Sequence, residues 1–324
     1  MPSITRTTPA WLPLIAVALL ATSCSDPSSA APRDDASTAK INTSPDQHRV
    51  AVSKDARAAS LLPARIRDKG TITIADSAGA SGTPPLAFTA DDNKTPIGVE
   101  VDIAHLLAAK LGVRLDLRTT SWENLFLGAD SGAYDVVVSN VTVTEERKEK
   151  YDFATYRKDD LAFEATQGGS WKVKSGKDIQ GKTIAVSSGT NQEKILLDWN
   201  KANIAAGLKP AKIVYYQSAS DYYLALSSGR IDAYLGPNPT AAYHVATGGK
   251  TEIIGRFSGG GATVQGLIAA LSKKNSGLAQ PLAAALNSAI ADGSYAKVLS
   301  RWDLSNEAVP TSQINPPGLP KEAS

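Results

Sequence analysis

The feature that most limits what this chain can fold into is its alternation of strand-like and helix-like segments from Gly70 onward. Thr71-Ile-Thr-Ile-Ala75 is a short apolar run rich in β-branched residues and reads as a buried strand. Over 99–111, Ile103, Leu106, Leu107 and Leu111 fall on one face at helical spacing, with Gly112 as a stop. The segment 114–118 alternates with period two, 122–127 predicts a short helix, and 134–138 predicts another strand. A second block repeats the pattern: strand 182–186, helix 190–206, strand 212–216, helix 220–228, strand 230–235. Strands near 252–255 and 266–271, then helices over 277–292 and 294–302, complete the series. Such alternation predicts mostly parallel sheets covered by helices on both faces. Two blocks predict two α/β lobes. In sheets of this kind ligands bind beyond the carboxyl ends of the strands, often between lobes.

The start of the chain points to export. Arg6 precedes an apolar stretch, 11–21, that is too short to span a bilayer and has the length of a signal-peptide core. Thr22-Ser23-Cys24 ends it, and Cys24 is the only cysteine in the chain. Small residues before a lone cysteine resemble a bacterial lipobox, in which the thiol is acylated and the cysteine becomes the new N-terminus. A plain secretory signal with an incidental cysteine is the other reading. We expect 1–23 to be a signal peptide and 24–60 a lipid-anchored flexible tether, polar and proline-bearing, with a short apolar helix within 50–62. About 260 residues remain, enough for one large domain or two small ones. A formal net charge of +2 gives no argument for nucleic-acid binding. His48, His105, His244 and Cys24 are too few and too scattered for a zinc site, so neither metal nor cofactor is expected.

The order and spacing of several short stretches carry a resemblance. They include Thr83-Pro-Pro-Leu-Ala-Phe88, Ile97-Gly-Val-Glu-Val-Asp-Ile103, Ser121-Trp-Glu, Ser131-Gly-Ala-Tyr-Asp-Val136, Thr142-Val-Thr-Glu-Glu-Arg147, Gly181-Lys-Thr-Ile-Ala-Val-Ser-Ser-Gly-Thr190, Ser228-Gly-Arg-Ile-Asp-Ala233 and Asp292-Gly-Ser-Tyr-Ala-Lys297. Taken together they resemble the bacterial extracellular solute-binding proteins of polar amino-acid importers. The resemblance implies a periplasmic-binding-protein-like α/β fold whose two lobes are joined by two crossing segments. Lobe 1 would comprise 61–161 and 265–310, lobe 2 would comprise 162–264, and 311–324 would form a C-terminal tail. The crossings are expected near 161–165 and 264–269. It further implies a monomeric, non-enzymatic component that captures an amino-acid-like solute and passes it to an ABC importer permease. The lipid anchor would hold it on the outer face of the cell membrane.

Site residues follow from the same resemblance. Arg147 matches an arginine that holds the ligand carboxylate, a task suited to a guanidinium fork. An ion pair with Glu145 or Glu149 is its plainer reading. Thr142 begins a capping-box pattern with Glu145, so it can cap a helix, meet the ligand, or both. Ser139 and Asn140 sit at a strand's carboxyl end. Thr190 and Asn191 open a helix, and Thr190 with Glu193 again fits a capping box. Free N–H groups there favour an anion. Trp122 matches an aromatic that packs on the ligand, or it serves helix packing.

Two departures put the ligand in question. Where the family places an aspartate for the α-ammonium, this chain has Pro237, followed by the uncharged Asn238. The aromatic expected beside Pro84-Pro85 is absent. Asp76 and Glu100 are the acids placed to compensate, or else they stabilise the fold. A dehydratase or related lyase on the same scaffold, and a sensory lobe, stand as alternatives to the binding protein.

Overall fold

The computed structural model describes residues 41–79 and 82–321. The expected signal peptide, Cys24 and the first part of the tether lie outside the described residues.

Twelve strands and nine α-helices succeed one another along the described chain. The first half runs α1 (Ala56–Ser60), α2 (Ala64–Lys69), β1 (Thr71–Asp76), β2 (Phe88–Thr89), β3 (Pro96–Ile97), α3 (Val99–Leu111), β4 (Arg114–Thr119), α4 (Trp122–Ser131), β5 (Val136–Val137), β6 (Tyr151–Lys158) and β7 (Asp160–Thr166). The second half runs β8 (Thr183–Val186), α5 (Asn191–Ala205), β9 (Lys212–Tyr215), α6 (Ala219–Ser227), β10 (Ala233–Pro237), α7 (Asn238–Ala246), β11 (Thr251–Ser258), β12 (Leu267–Lys273), α8 (Ala279–Ala291) and α9 (Ser294–Arg301).

Ten of the strands form two five-stranded sheets, in the orders β4-β1-β5-β12-β6 and β11-β7-β10-β8-β9, and β2 pairs with β3 in a separate two-stranded ribbon. In the first sheet β1 pairs parallel with β4 and β5, the pairing that an intervening helix demands. In the second, β8 pairs parallel with β9 and β10. Within these two sheets every antiparallel pairing involves β6, β7, β11 or β12, the strands that carry the chain between sheets. Each sheet has its own apolar core. The first gathers Ile72, Ile74, Ile103, Leu107, Leu282 and Trp302, and the second gathers Leu161, Phe163, Ile184, Leu196 and Leu235. The chain is therefore a two-lobed α/β protein.

Helix α3 shows how the sequence sets the packing. It is buried along nearly its whole length, with Val99, Ile103, Leu107 and Leu111 in the core. Gly112 ends it in the left-handed conformation (φ 66°), which a glycine adopts without strain. Gly98 opens it at φ 124°, and a Cβ there would stand 2.1 Å from the Leu86 carbonyl oxygen.

The crossings correct the sequence expectation. The first is the single residue Asp159, between β6 and β7. Residues 161–165 are all buried inside β7, with Leu161, Phe163 and Ala165 in the second lobe's apolar core. The second spans 259–266, and 267–269 already belong to β12. The two crossings bond to each other through Asp159 N–H to Gly266 O (2.8 Å) and Gly259 N–H to Asp159 O (2.8 Å).

Residues 41–60 are not a loose tether. Arg49 donates to Asp102 at 3.0 Å, Gln47 is buried, and Asp55 caps α1 while its own N–H reaches Lys110 O. These polar partners fix the segment together with Ala58, in the first core, and Ile41, Val50 and Val52, packed against it. The expected helix within 50–62 shortens to α1. Residues 311–321, expected as part of a tail, are docked rather than free, with Ser312 and Leu319 buried.

Candidate functional site

The carboxyl ends of strands from both sheets meet at one place. Ser77 follows β1, Ser139 and Asn140 follow β5, Ser187 follows β8, Gln217 follows β9, and Pro237 ends β10. All line a cavity of ≈ 100 Å³ between the lobes. Trp122, Glu100, Leu86 and Ala87 complete the first wall; Thr190, Asn191, Gln192, Tyr234 and Leu235 complete the second. Six of the residues picked from sequence thus share one cavity: Glu100, Trp122, Ser139, Asn140, Thr190 and Asn191.

Among the described residues, the acid on the wall is Glu100, and it is fully committed. One oxygen accepts from Arg157 Nη2 at 2.8 Å and the other from the Tyr156 hydroxyl. Arg157 also binds Glu307 and the Asn140 side-chain oxygen. Burial by itself would lower the Arg157 pKa, but Glu307 and Glu100 outweigh it, and the guanidinium stays charged. Burial pushes Glu307 up to about 7, against the pull of Arg157. Asn140 is left-handed (φ 52°), a conformation that asparagine tolerates, and its side-chain oxygen meets Arg157.

The other expected site residues lie off this wall. Asp76 accepts from Ala78 N–H (2.9 Å) and Thr119 Oγ1 (3.0 Å), while its Oδ2 is buried without a partner. Burial raises its pKa, and Glu100 adds to the effect. Asn238 accepts from Arg256 Nε at 3.0 Å, so its side chain serves the second lobe rather than the cavity. Thr142 is not a helix cap. Its hydroxyl donates to Asp159 at 2.7 Å, and Thr144 accepts from Arg147 N–H at the start of a single 3-10 turn, Arg147–Glu149. The turn is short because β6 begins at Tyr151.

Arg147 spans the lobes. Its Nη1 donates to Thr142 O (2.9 Å) on one side and its Nη2 to Gly189 O (3.0 Å) on the other. The guanidinium lies 5.5 Å from the Trp122 ring centre and 5.3 Å from that of Phe126, a cation–π arrangement. Burial lowers its pKa to about 10, with Asp159 opposing the shift. It lines an adjoining recess of ≈ 680 Å³ that shares Thr190 and Asn191 with the cavity. Thr190 caps α5 as expected, accepting from Glu193 N–H at 3.2 Å. Glu193 in return accepts from Gly189 N–H at 2.7 Å, so that amide is already occupied.

Sequence reasoning missed Asp159, Ser77, Ser187, Gln192, Gln217 and Tyr234. Asp159 is buried at the crossing, where Oδ2 accepts from Thr142 in the first lobe and from Asn191 in the second at 3.0 Å. Burial raises its pKa to about 6, with Thr142 the largest opposing influence. Gln192 leaves a buried side-chain oxygen without a partner beside the cavity. Ser77, Ser187 and Gln217 were within reach of sequence: each is a polar residue just beyond a strand.

The geometry defines a two-lobed binding fold with its candidate site between the lobes. The chain belongs to the bacterial extracellular solute-binding proteins, family 3, whose model matches residues 77–305. It is 35% identical over 173 residues to the L-cystine-binding protein of Escherichia coli strain K12, covering 53% of this chain and 60% of that protein. The chain thus spans about three-fifths of the length of that relative. The L-cystine-binding protein of Bacillus subtilis strain 168 is 27% identical over 77% of this chain and 87% of its own length. An ancestral arginine-binding protein bound to arginine superposes with TM-score 0.62 at 28% identity, over 72% of this chain and 98% of that one. An ancestral amino acid-binding precursor of cyclohexadienyl dehydratase has TM-score 0.62 at 23% identity, over 75% and 99% of the two chains, a likeness of fold alone.

Proposed function

We propose that this protein is the solute-binding component of an ABC importer and that it captures an amino-acid-like solute between its lobes. The observation that carries this reading is the convergence of strand ends from both sheets on one cavity. A solute there touches both walls only when the cleft is shut, so binding and closure are coupled. The relatives named for cystine and arginine support an amino acid as the solute class. Glu100 spends both oxygens on Arg157 and Tyr156, which leaves it poorly placed as a general acid; this favours capture over the dehydratase alternative.

Arg147 is our candidate for the carboxylate receptor. Two carbonyls take two of its five N–H donors and leave three. Because the Pro237 side chain offers no charge to pair with an ammonium, ligands with a masked, distant or delocalised cation should bind best. Calorimetry with L-cystine, L-arginine, L-histidine, L-glutamate and L-glutamine tests the reading. One of the first three should bind well, and glutamate and glutamine should bind more weakly than about 10 μM. Arg147→Ala should weaken the best ligand by about 2–5 kcal/mol. Binding of none of the five, or conversion of a candidate substrate to product, would overturn the proposal.

We place the protein outside the cytoplasm, held to the cell membrane by acylated Cys24 and acting as a monomer beside its permease. Cys24→Ser should release it from the membrane fraction. An unmodified Cys24 in the intact mass of the native protein would remove the anchor from the account.

A further inference from the structure

The C-terminal segment 313–321 lies beyond the family match and is bonded along its length. Gln313 exchanges bonds with Thr155 on β6, the edge strand of the first sheet, through Thr155 N–H to Gln313 O (3.0 Å) and Gln313 N–H to Thr155 Oγ1 (2.8 Å). Asn315 pairs with Phe153 in the same way: its N–H donates to Phe153 O (3.2 Å) and its Oδ1 accepts from Phe153 N–H (2.8 Å). These contacts cover an edge that would otherwise be open. The chain then runs along residues 143–145. Leu319 N–H donates to Val143 O (3.1 Å), Glu145 N–H donates to Leu319 O (2.9 Å), and Gly318 N–H donates to the Glu145 carboxylate (2.8 Å). Gly318 has no alternative there, because a Cβ would stand 2.3 Å from the Val143 carbonyl oxygen.

The backbone of Leu319 is therefore part of the first lobe, but its side chain is not. It is 4% exposed and belongs to the apolar cluster of the second lobe, with Leu161, Phe163 and Ile195. Its Cδ1 lies 3.2 Å from where a Cβ on Gly261, in the second crossing, would stand. Leu319 and Pro320 line a groove of ≈ 260 Å³ with Ile195, Trp199 and Gly261.

We propose that residues 316–321 are a third connection between the lobes, a strap that holds the cleft walls at their closed spacing and slows release of the solute. The inference rests on the reading of the cleft as a solute trap. Parting the lobes moves α5 and the 259–266 crossing away from residues 143–145. The Leu319 side chain then leaves its apolar pocket or its backbone leaves Val143, and either event opposes opening.

The test compares the full chain with a truncation after Asn315, with Leu319→Ser, and with the volume-conserving Leu319→Met. Ligand-free solution scattering reads lobe opening, and stopped-flow fluorescence reads dissociation of L-cystine. The truncation and Leu319→Ser should expand the ligand-free protein and speed dissociation about tenfold, on the order expected for exposing one leucine. Leu319→Met should match the full chain. If the truncated chain does not fold, Leu319→Ser decides alone. Unchanged scattering and dissociation in Leu319→Ser, or a loss of thermal stability with no expansion, would show Leu319 to be ordinary core and overturn the strap. Failure of the full chain to bind L-cystine would count against that ligand in the trap reading and leave the scattering comparison standing.

Discussion

Asp159→Asn isolates the buried carboxylate at the crossing. The native carboxyl titrates at about 6, against 3.8 for an unperturbed aspartate, with burial the main cause. Between those values the folded state binds more protons than the unfolded state, so stability rises as pH falls. The contribution is fully present below the unfolded pKa and is lost as pH rises through 6. Integrating the two titrations from pH 7 to pH 5 gives about 1.3 kcal/mol of added stability, with a range of about 0.5–2 kcal/mol for a pKa good to about a unit. Glu307, at about 7, acts in the same direction, whereas His105, lowered to about 4 by burial, loses stability on acidification. His105 acts alike in both proteins and cancels in the difference, whereas Glu307 is raised in part by Asp159, so its gain is smaller in the variant and widens the difference in the same direction. Urea unfolding of the two proteins at pH 7 and pH 5 is the assay. Wild type should gain about 1.3 kcal/mol more than Asp159→Asn over that interval. Equal gains would mean that Asp159 is solvated like a surface acid rather than buried at the crossing.

Two further outcomes follow from the packing. Arg157→Leu strands Glu100 and Glu307, both fully buried, and should cost about 3–5 kcal/mol in urea unfolding; a cost below 1 kcal/mol would mean the two acids find other partners. Gly98→Ala would press a methyl against the Leu86 carbonyl at positive φ and should lower stability by about 3 kcal/mol, whereas an unchanged melting temperature would refute that close approach.

How far the sequence carries depends on the range of the interaction. Helix α3 was legible to the residue because its apolar positions and Gly112 are local signals. The second block of strands and helices was legible for the same reason. Strands β6 and β7 were not, because their burial comes from pairing with β12, β10 and β11, far away in sequence. The crossing at Asp159 was hidden with them. Among the site residues, Ser139, Asn140, Thr190 and Asn191 were readable from strand ends and a helix start. Glu100 reached the cavity as expected, but its pairing with Arg157 was invisible, since the arginine comes 57 positions later. Asn238 looked available beside Pro237 until Arg256, from β11, was seen to hold it. The docked C-terminal segment gave no periodic signal, because it is ordered by single bonds to β6 and to residues 143–145.

The most direct test of the central claim is a crystal structure with the tightest-binding amino acid of the calorimetric panel. The ligand should lie between the lobes, touching Trp122 and Ser139 on the first wall and Thr190 and Gln192 on the second, with its carboxylate on Arg147. A ligand bound to one lobe alone, or outside this cleft, would contradict it.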